Sequence, residues 1–162
     1  MKRSIVIVLI VLVSIAVIAS AVFYGPSLIP NSPCSDPQCI STHVYNPGRL
    51  QTVNPLITAS GTVEAKRPEA DGDYHILVQL DSQYSNLTNQ ANVNLQNGWL
   101  VVEIICVLPV TQQDAIAACS GYTNSITVPN IGDHITFSGP YVLDNQHSDW
   151  AEVHPVYTLT IG

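Results

Sequence analysis

The chain has 162 residues and a formal charge of −7, with only 10% of its residues charged, against roughly a quarter in ordinary soluble domains. Lys2 and Arg3 precede a hydrophobic run, and beyond it three basic residues (Arg49, Lys66, Arg67) stand against all 12 acidic ones, a net of −9. Nucleic-acid binding draws on Lys and Arg to replace counterions, so no nucleic-acid partner is expected, and an anionic membrane surface is equally ill matched.

Residues 1–25 read as a targeting segment. Ile5 to Phe23 is an apolar run of 19, close to the ~20 residues that cross a bilayer. Ala19-Ser20-Ala21 also fits a signal-peptide cleavage site. A retained signal anchor is the preferred expectation: a hydrophobic N-terminal helix, positive end inside, with the remainder outside the cytoplasm. Cleavage would make the protein secreted.

Residues 26–55 carry Pro26, Pro30, Pro33, Pro37, Pro47 and Pro55 and read as an extended, Pro-rich stalk. Four cysteines in an exported chain read as disulfides. Of the three possible connectivities the simplest is local, Cys34 with Cys39 and Cys106 with Cys119. A four-thiolate zinc site needs two closely spaced pairs, and only one is present.

Residues 56–162 show short period-2 runs bounded by turn residues, the mark of a mainly β domain. Ile57 to Ala65 forms a first strand with Ala59, Gly61 and Val63 on one face. Tyr74 to Leu80 is the second, with Ile76 and Val78 inward and His75 outward. The run Gln83 to Asn97, with five asparagines and the sequon Asn86-Leu87-Thr88, reads as a polar loop. Trp99 to Cys106 is apolar on both faces and should be a central third strand. Thr111 to Cys119 is expected to be a short helix stopped by Gly121. His134 to Ser138 and Trp150 to Ile161 complete five strands. Three strands, a helix and two strands is the order of an OB-like five-stranded barrel, with a sandwich as the alternative.

Candidate chemistry gathers in His147-x-Asp149-Trp150-x-Glu152-x-His154-Pro155. Residues two apart on a strand share a face, so Glu152 and His154 project together. Carboxylate and imidazole suit zinc or copper. His147 or Asp149 would add a third ligand, and His134 on the neighbouring strand is a better-placed partner for His154 than the second cluster. A second cluster, Asp71-Gly72-Asp73-Tyr74-His75, opens strand two. In an OB order strand three lies between strands two and five, and the two clusters are expected at opposite ends of it.

From Ile57 to Val156 the chain resembles a group of uncharacterised exported OB-like domains. The resemblance rests on Asp71-Gly72-Asp73-Tyr74-His75, Gly139-Pro140-Tyr141-Val142-Leu143-Asp144 and Trp150-Ala151-Glu152-Val153-His154-Pro155-Val156. It implies the fold and no activity. The expected function is a membrane-tethered extracytoplasmic binding module for a divalent metal or a surface protein partner, rather than an enzyme. The alternatives are a zinc-dependent hydrolase with Glu152 as general base, and a structural envelope subunit.

Overall fold

The computed structural model describes residues 40–162; the targeting segment, the first part of the stalk and the Cys34–Cys39 pair lie outside the described residues. Among the described residues no helix is long and apolar enough to cross a membrane.

The fold is mainly β. Six strands run β1 (Leu50–Pro68), β2 (Tyr74–Leu80), β3 (Leu100–Ile104), β4 (His134–Asp144), β5 (Trp150–Val153) and β6 (Thr158–Ile161). β1 pairs antiparallel with β2, β2 with β3, β4 with β5 and β4 with β1, while β3 pairs in parallel with β5. These pairings close a ring of five strands, β1-β2-β3-β5-β4, and β6 lies beside β4.

β1 serves two partners along its 19 residues. Leu50 to Thr62 pairs with β4, and Gly61 to Pro68 pairs with β2. At the changeover a side chain at Gly61 would put its Cβ 2.3 Å from the Gln79 carbonyl oxygen. Only glycine allows that approach. Gly139 on β4 plays the same part against the Pro155 carbonyl, at 2.4 Å.

The core is built from alternate positions: Ala59 and Val63 of β1, Ile76 and Val78 of β2, Leu100, Val102 and Ile104 of β3, Ile135 and Phe137 of β4, Ala151 and Val153 of β5. β3 is buried at every residue, as expected of a strand between two others. Its length and composition, Leu-Val-Val-Glu-Ile, leave one anomaly: a buried glutamate, Glu103.

Several expected elements are placed differently. The single strand expected over Trp150 to Ile161 is two, because Pro155 supplies no N–H to a ladder. Between the pairs Tyr141–Val153 and Ser138–Thr158 this chain inserts extra residues against β4. The inserted Val156 donates its N–H to the Glu103 carbonyl instead, at 2.9 Å. The expected polar loop holds a 3-10 turn (Ser82–Leu87) and a short helix, α1 (Gln90–Leu95), capped by Asn89. The helix expected at Thr111 to Cys119 is instead a series of turns. Its N–H groups bond three residues back, as Ala118 does to Ala115, and Thr111 and Gln112 are claimed by the Ala70 carbonyl. The Cys106–Cys119 disulfide is present, with Cα atoms 5.4 Å apart.

The residues expected to end the stalk are also folded. β1 begins at Leu50. Val44 packs with Ile105 and Cys106 in a second small apolar cluster, and His43 stacks on Tyr122 at 4.2 Å. The domain therefore starts no later than Ile40, not at residue 56.

Candidate functional site

Charged groups are buried where β2 begins and where β3, β4 and β5 end. Arg49 is placed by a 3-10 turn (Pro47–Arg49) at the head of β1, and the register puts its neighbour Leu50 opposite Asp144, the last residue of β4. Its guanidinium pairs with Asp144 and lies 3.9 Å from Glu152. Asp144, fully buried, also accepts from the Gln146 N–H at 2.9 Å and faces His147 Nδ1 at 2.8 Å.

β5 carries the next layer. Trp150 donates its indole N–H to Glu152 at 2.8 Å. His154 follows on the same face, its Nδ1 3.0 Å from Glu103 and 3.1 Å from Glu152. Glu103 reaches it because β3 and β5 run parallel, with Val101 opposite Glu152. Burial alone would raise Glu103, but the imidazolium of His154 outweighs it and holds the carboxyl below its usual range. Burial alone would lower His154, but Glu103 and Glu152 together raise it above the usual imidazole range. Its Nε2 is buried with no hydrogen-bond partner.

The second cluster meets the first. Asp73 is 2% exposed and accepts the Cys106 N–H at 2.7 Å. Burial, and then the charges of Glu103 and Asp71, push its carboxyl up to about 8. His75 pairs with Glu103 across β2 and β3. Arg67 Nη2 lies 3.1 Å from its Nε2. Arginine can only donate, so Nε2 accepts and the ring is neutral. Burial pushes His75 down to about 4, in agreement. Trp150 ties the clusters together, edge-on to His75 at 5.5 Å and stacked on His147 at 4.7 Å.

Above these groups lies a cavity of about 260 Å³, walled by Arg49, Arg67, Glu69, Asp71, His75, Glu103, His147, Trp150 and Glu152. Ligand atoms of Asp73, Glu103 and His154 lie within 4.8 Å of one another. Cys106 and Cys119 also approach Asp73, but their sulfurs are committed to the disulfide.

Comparison of the chain with protein-family models, with curated proteins and with solved structures found no match. The site is therefore read from its own chemistry.

Of the expected ligands, Glu152 and His154 do meet. His147 lines the cavity with Glu152 but is engaged by Asp144. Asp149 sits in the preceding turn with φ 58°, its carbonyl accepting from Asn89. His134 is a correction: it stands at the far end of the 11-residue β4 from Asp144, 3.1 Å from Asp81. The expected separation of the two clusters is also corrected. β5 is only four residues long, so Glu152 and His154 lie at its end, beside the end of β3 and the start of β2.

Arg49, Glu103 and Asp144 were absent from the expected site. Glu103 had a signal, a lone carboxylate in a strand apolar on both faces. Arg49 is one of three basic residues after the hydrophobic run.

Proposed function

We propose that the chain is an exported, membrane-tethered binding module, built on an OB-like barrel, that takes a divalent cation at Asp73, Glu103 and His154. The N-terminal run from Ile5 to Phe23, behind Lys2 and Arg3, supports the tether and the extracytoplasmic location. The barrel reading is supported by a ring in which β3 lies between β2 and β5.

The observation that carries the cation site is the approach of three buried ligand atoms from three different strands or strand ends, all within 4.8 Å. Zinc with oxygen and nitrogen ligands at about 2.0–2.2 Å sets tetrahedral neighbours about 3.4 Å apart, so only a small closure is required. Two carboxylates and one imidazole are a donor set that zinc accepts, with a fourth position left for another ligand. Buried carboxylates this close together repel one another unless a cation or protons sit between them. Glu152, 3.1 Å from His154 Nδ1, is a further carboxylate beside the ion. Glu103 belongs both to this cluster and to the cavity wall.

The test is zinc titration of the full chain in detergent, by calorimetry and by elemental analysis after dialysis. The expected result is one zinc per chain, with Glu103→Gln weakening binding at least 100-fold and His134→Ala leaving it unchanged. Absence of stoichiometric metal, or unchanged affinity in Glu103→Gln, overturns the cation site.

A further inference from the structure

The end of β1 and the turn into β2 carry charged side chains at alternate positions, Arg67, Glu69 and Asp71, and all of them wall the cavity of about 260 Å³. Arg67 reaches His75 Nε2 at 3.1 Å and the Gln96 side-chain oxygen at 3.2 Å through one amino group. Neither partner is a carboxylate, so the guanidinium is positioned while its charge is left uncompensated. The arginine that does hold carboxylates on this wall is Arg49, against Asp144 and Glu152. Asp71 accepts only the Asp73 N–H, at 3.3 Å. The Glu69 carboxylate makes no hydrogen bond among the described residues and stands 3.8 Å from His75 Nδ1. Arg67 is exposed and Glu69 and Asp71 are half-buried, so a solute can reach each of them.

The turn that bears the two carboxylates is braced from outside. The Gly72 carbonyl accepts from Val107 and Leu108 at 2.9 and 2.8 Å, and the Ala70 carbonyl accepts from Thr111 and Gln112 at 2.8 and 2.9 Å. A turn fixed in advance lowers the ordering cost of binding. His75 adds a buried group to the same wall. It is 6% exposed, and its Nδ1 makes no hydrogen bond among the described residues. Buried polar atoms nearly always find a partner, and a polar atom entering the cavity can be that partner.

A simple anion in this space would meet Glu69, Asp71, Glu103 and Glu152, and a simple cation would meet the uncompensated Arg67. A molecule with one charge of each sign answers both. We propose that the cavity binds a small free α-amino acid, its carboxylate on Arg67, its ammonium on Glu69 and Asp71 and its side chain against Trp150. Arginine presents paired donors that match a carboxylate. At about 30 Å³ for each water-sized unit the volume holds roughly eight heavy atoms, which suits alanine, serine or threonine. None of the three recognising residues is a ligand in the proposed cation cluster, so this site stands or falls apart from that reading.

The probe is L-alanine, with propionate and ethylamine as matched compounds that each lack one charge. Each is titrated into the metal-free full chain in detergent by calorimetry, with the ¹⁵N resonance of His75 Nδ1 followed in parallel. The expected result is saturable binding of alanine with a Kd below about 1 mM, at least tenfold tighter than either half, and a shift at His75. Arg67→Gln and Glu69→Gln should each weaken alanine binding at least tenfold. Lys66→Gln, at a neighbouring base that bonds the Pro129 carbonyl and does not line the cavity, should leave it unchanged. Absence of saturable binding, binding without a shift at His75, propionate or ethylamine binding as tightly as alanine, or full affinity in Arg67→Gln overturns the proposal. Alanine binding in a chain that takes no zinc would leave this site standing and remove only the cation site.

Discussion

Asn92 is the residue whose replacement tests the architecture of the site most directly. It is fully buried on α1. Its Nδ2 donates to the Ala151 carbonyl at 2.9 Å and to Trp99 at 3.1 Å. Its Oδ1 accepts the Ala151 N–H at 2.9 Å and the Asn89 N–H at 3.1 Å. β3 pairs with β5 only from Glu152 onward, so the side chain occupies the place of a strand partner one residue earlier. Asn92→Ala leaves the Ala151 N–H and C=O buried without partners, at about 1–3 kcal/mol each. The other two groups are half-buried and can recover water, adding less than about 1 kcal/mol together. The sum is about 2–7 kcal/mol, which with a urea m-value near ~2 kcal/mol/M moves the midpoint down by about 1–3.5 M. Amide exchange at Ala151 should accelerate with it. Asn92→Asp keeps the shape but turns a carboxylate oxygen on the Ala151 carbonyl, so it should be equally damaging at neutral pH. A loss below about 1 kcal/mol in Asn92→Ala with an unchanged m-value would refute the clamp.

Three further outcomes follow from the same geometry. In the chelated protein Asp73 stays protonated up to about pH 8 when folded but ionises near 3.9 when unfolded, and His154 is likewise raised in the fold. Between about pH 6.5 and 8 the folded state therefore binds more protons at both groups, so stability should fall as pH rises, by on the order of 1 kcal/mol per pH unit for each; a denaturation midpoint that climbs across that range would contradict this. Cys119→Ser opens a loop with a sequence separation of 13 and should lower stability by about 2–4 kcal/mol, read as a lower thermal midpoint that reduction of the wild type reproduces. Gly61→Ala drives a methyl against the Gln79 carbonyl and should cost about 1–3 kcal/mol or more, whereas Gly48→Ala, with nothing within 4 Å, should be near neutral.

Periodicity made most of the strands legible. Ile76 and Val78, or Phe137 between polar neighbours, announce a pleated surface with one buried face, and those residues are in the core. The cysteine spacing likewise pointed to Cys106–Cys119. What the pattern conceals is polarity that is buried by tertiary partners. His75, Glu103, Asp144, Glu152 and His154 all look like solvated or terminal positions along the chain, yet each is at most 6% exposed. A carboxylate becomes a core residue only when a cation from elsewhere meets it, and Arg49 lies 95 positions before Asp144 in sequence. Asn92 was lost among four other asparagines for the same reason. The turns of Thr111 to Ser120 show the converse: local helix propensity yields when outside carbonyls claim the first N–H groups.

The ring of strands has a bearing on the order of events during synthesis. β1 is joined to β4 through partners between Thr62–His134 and Leu50–Asp144, so the two edges that seal the ring are made from opposite ends of the domain. A nascent chain that has released β1, β2 and β3 holds an open three-stranded sheet with both edges bare, the kind of surface that recruits other strands. Such non-local closure is also slow, because a long loop must be ordered before it is rewarded. Both disulfide cysteines precede β4, however, so oxidation can staple the end of β3 to its following turns while the sheet is still open. The covalent link can thus be in place before the last 29 residues arrive, from His134 to Gly162, and a chain stopped short of His134 would keep its staple and never acquire the buried charges of Asp144, Glu152 and His154.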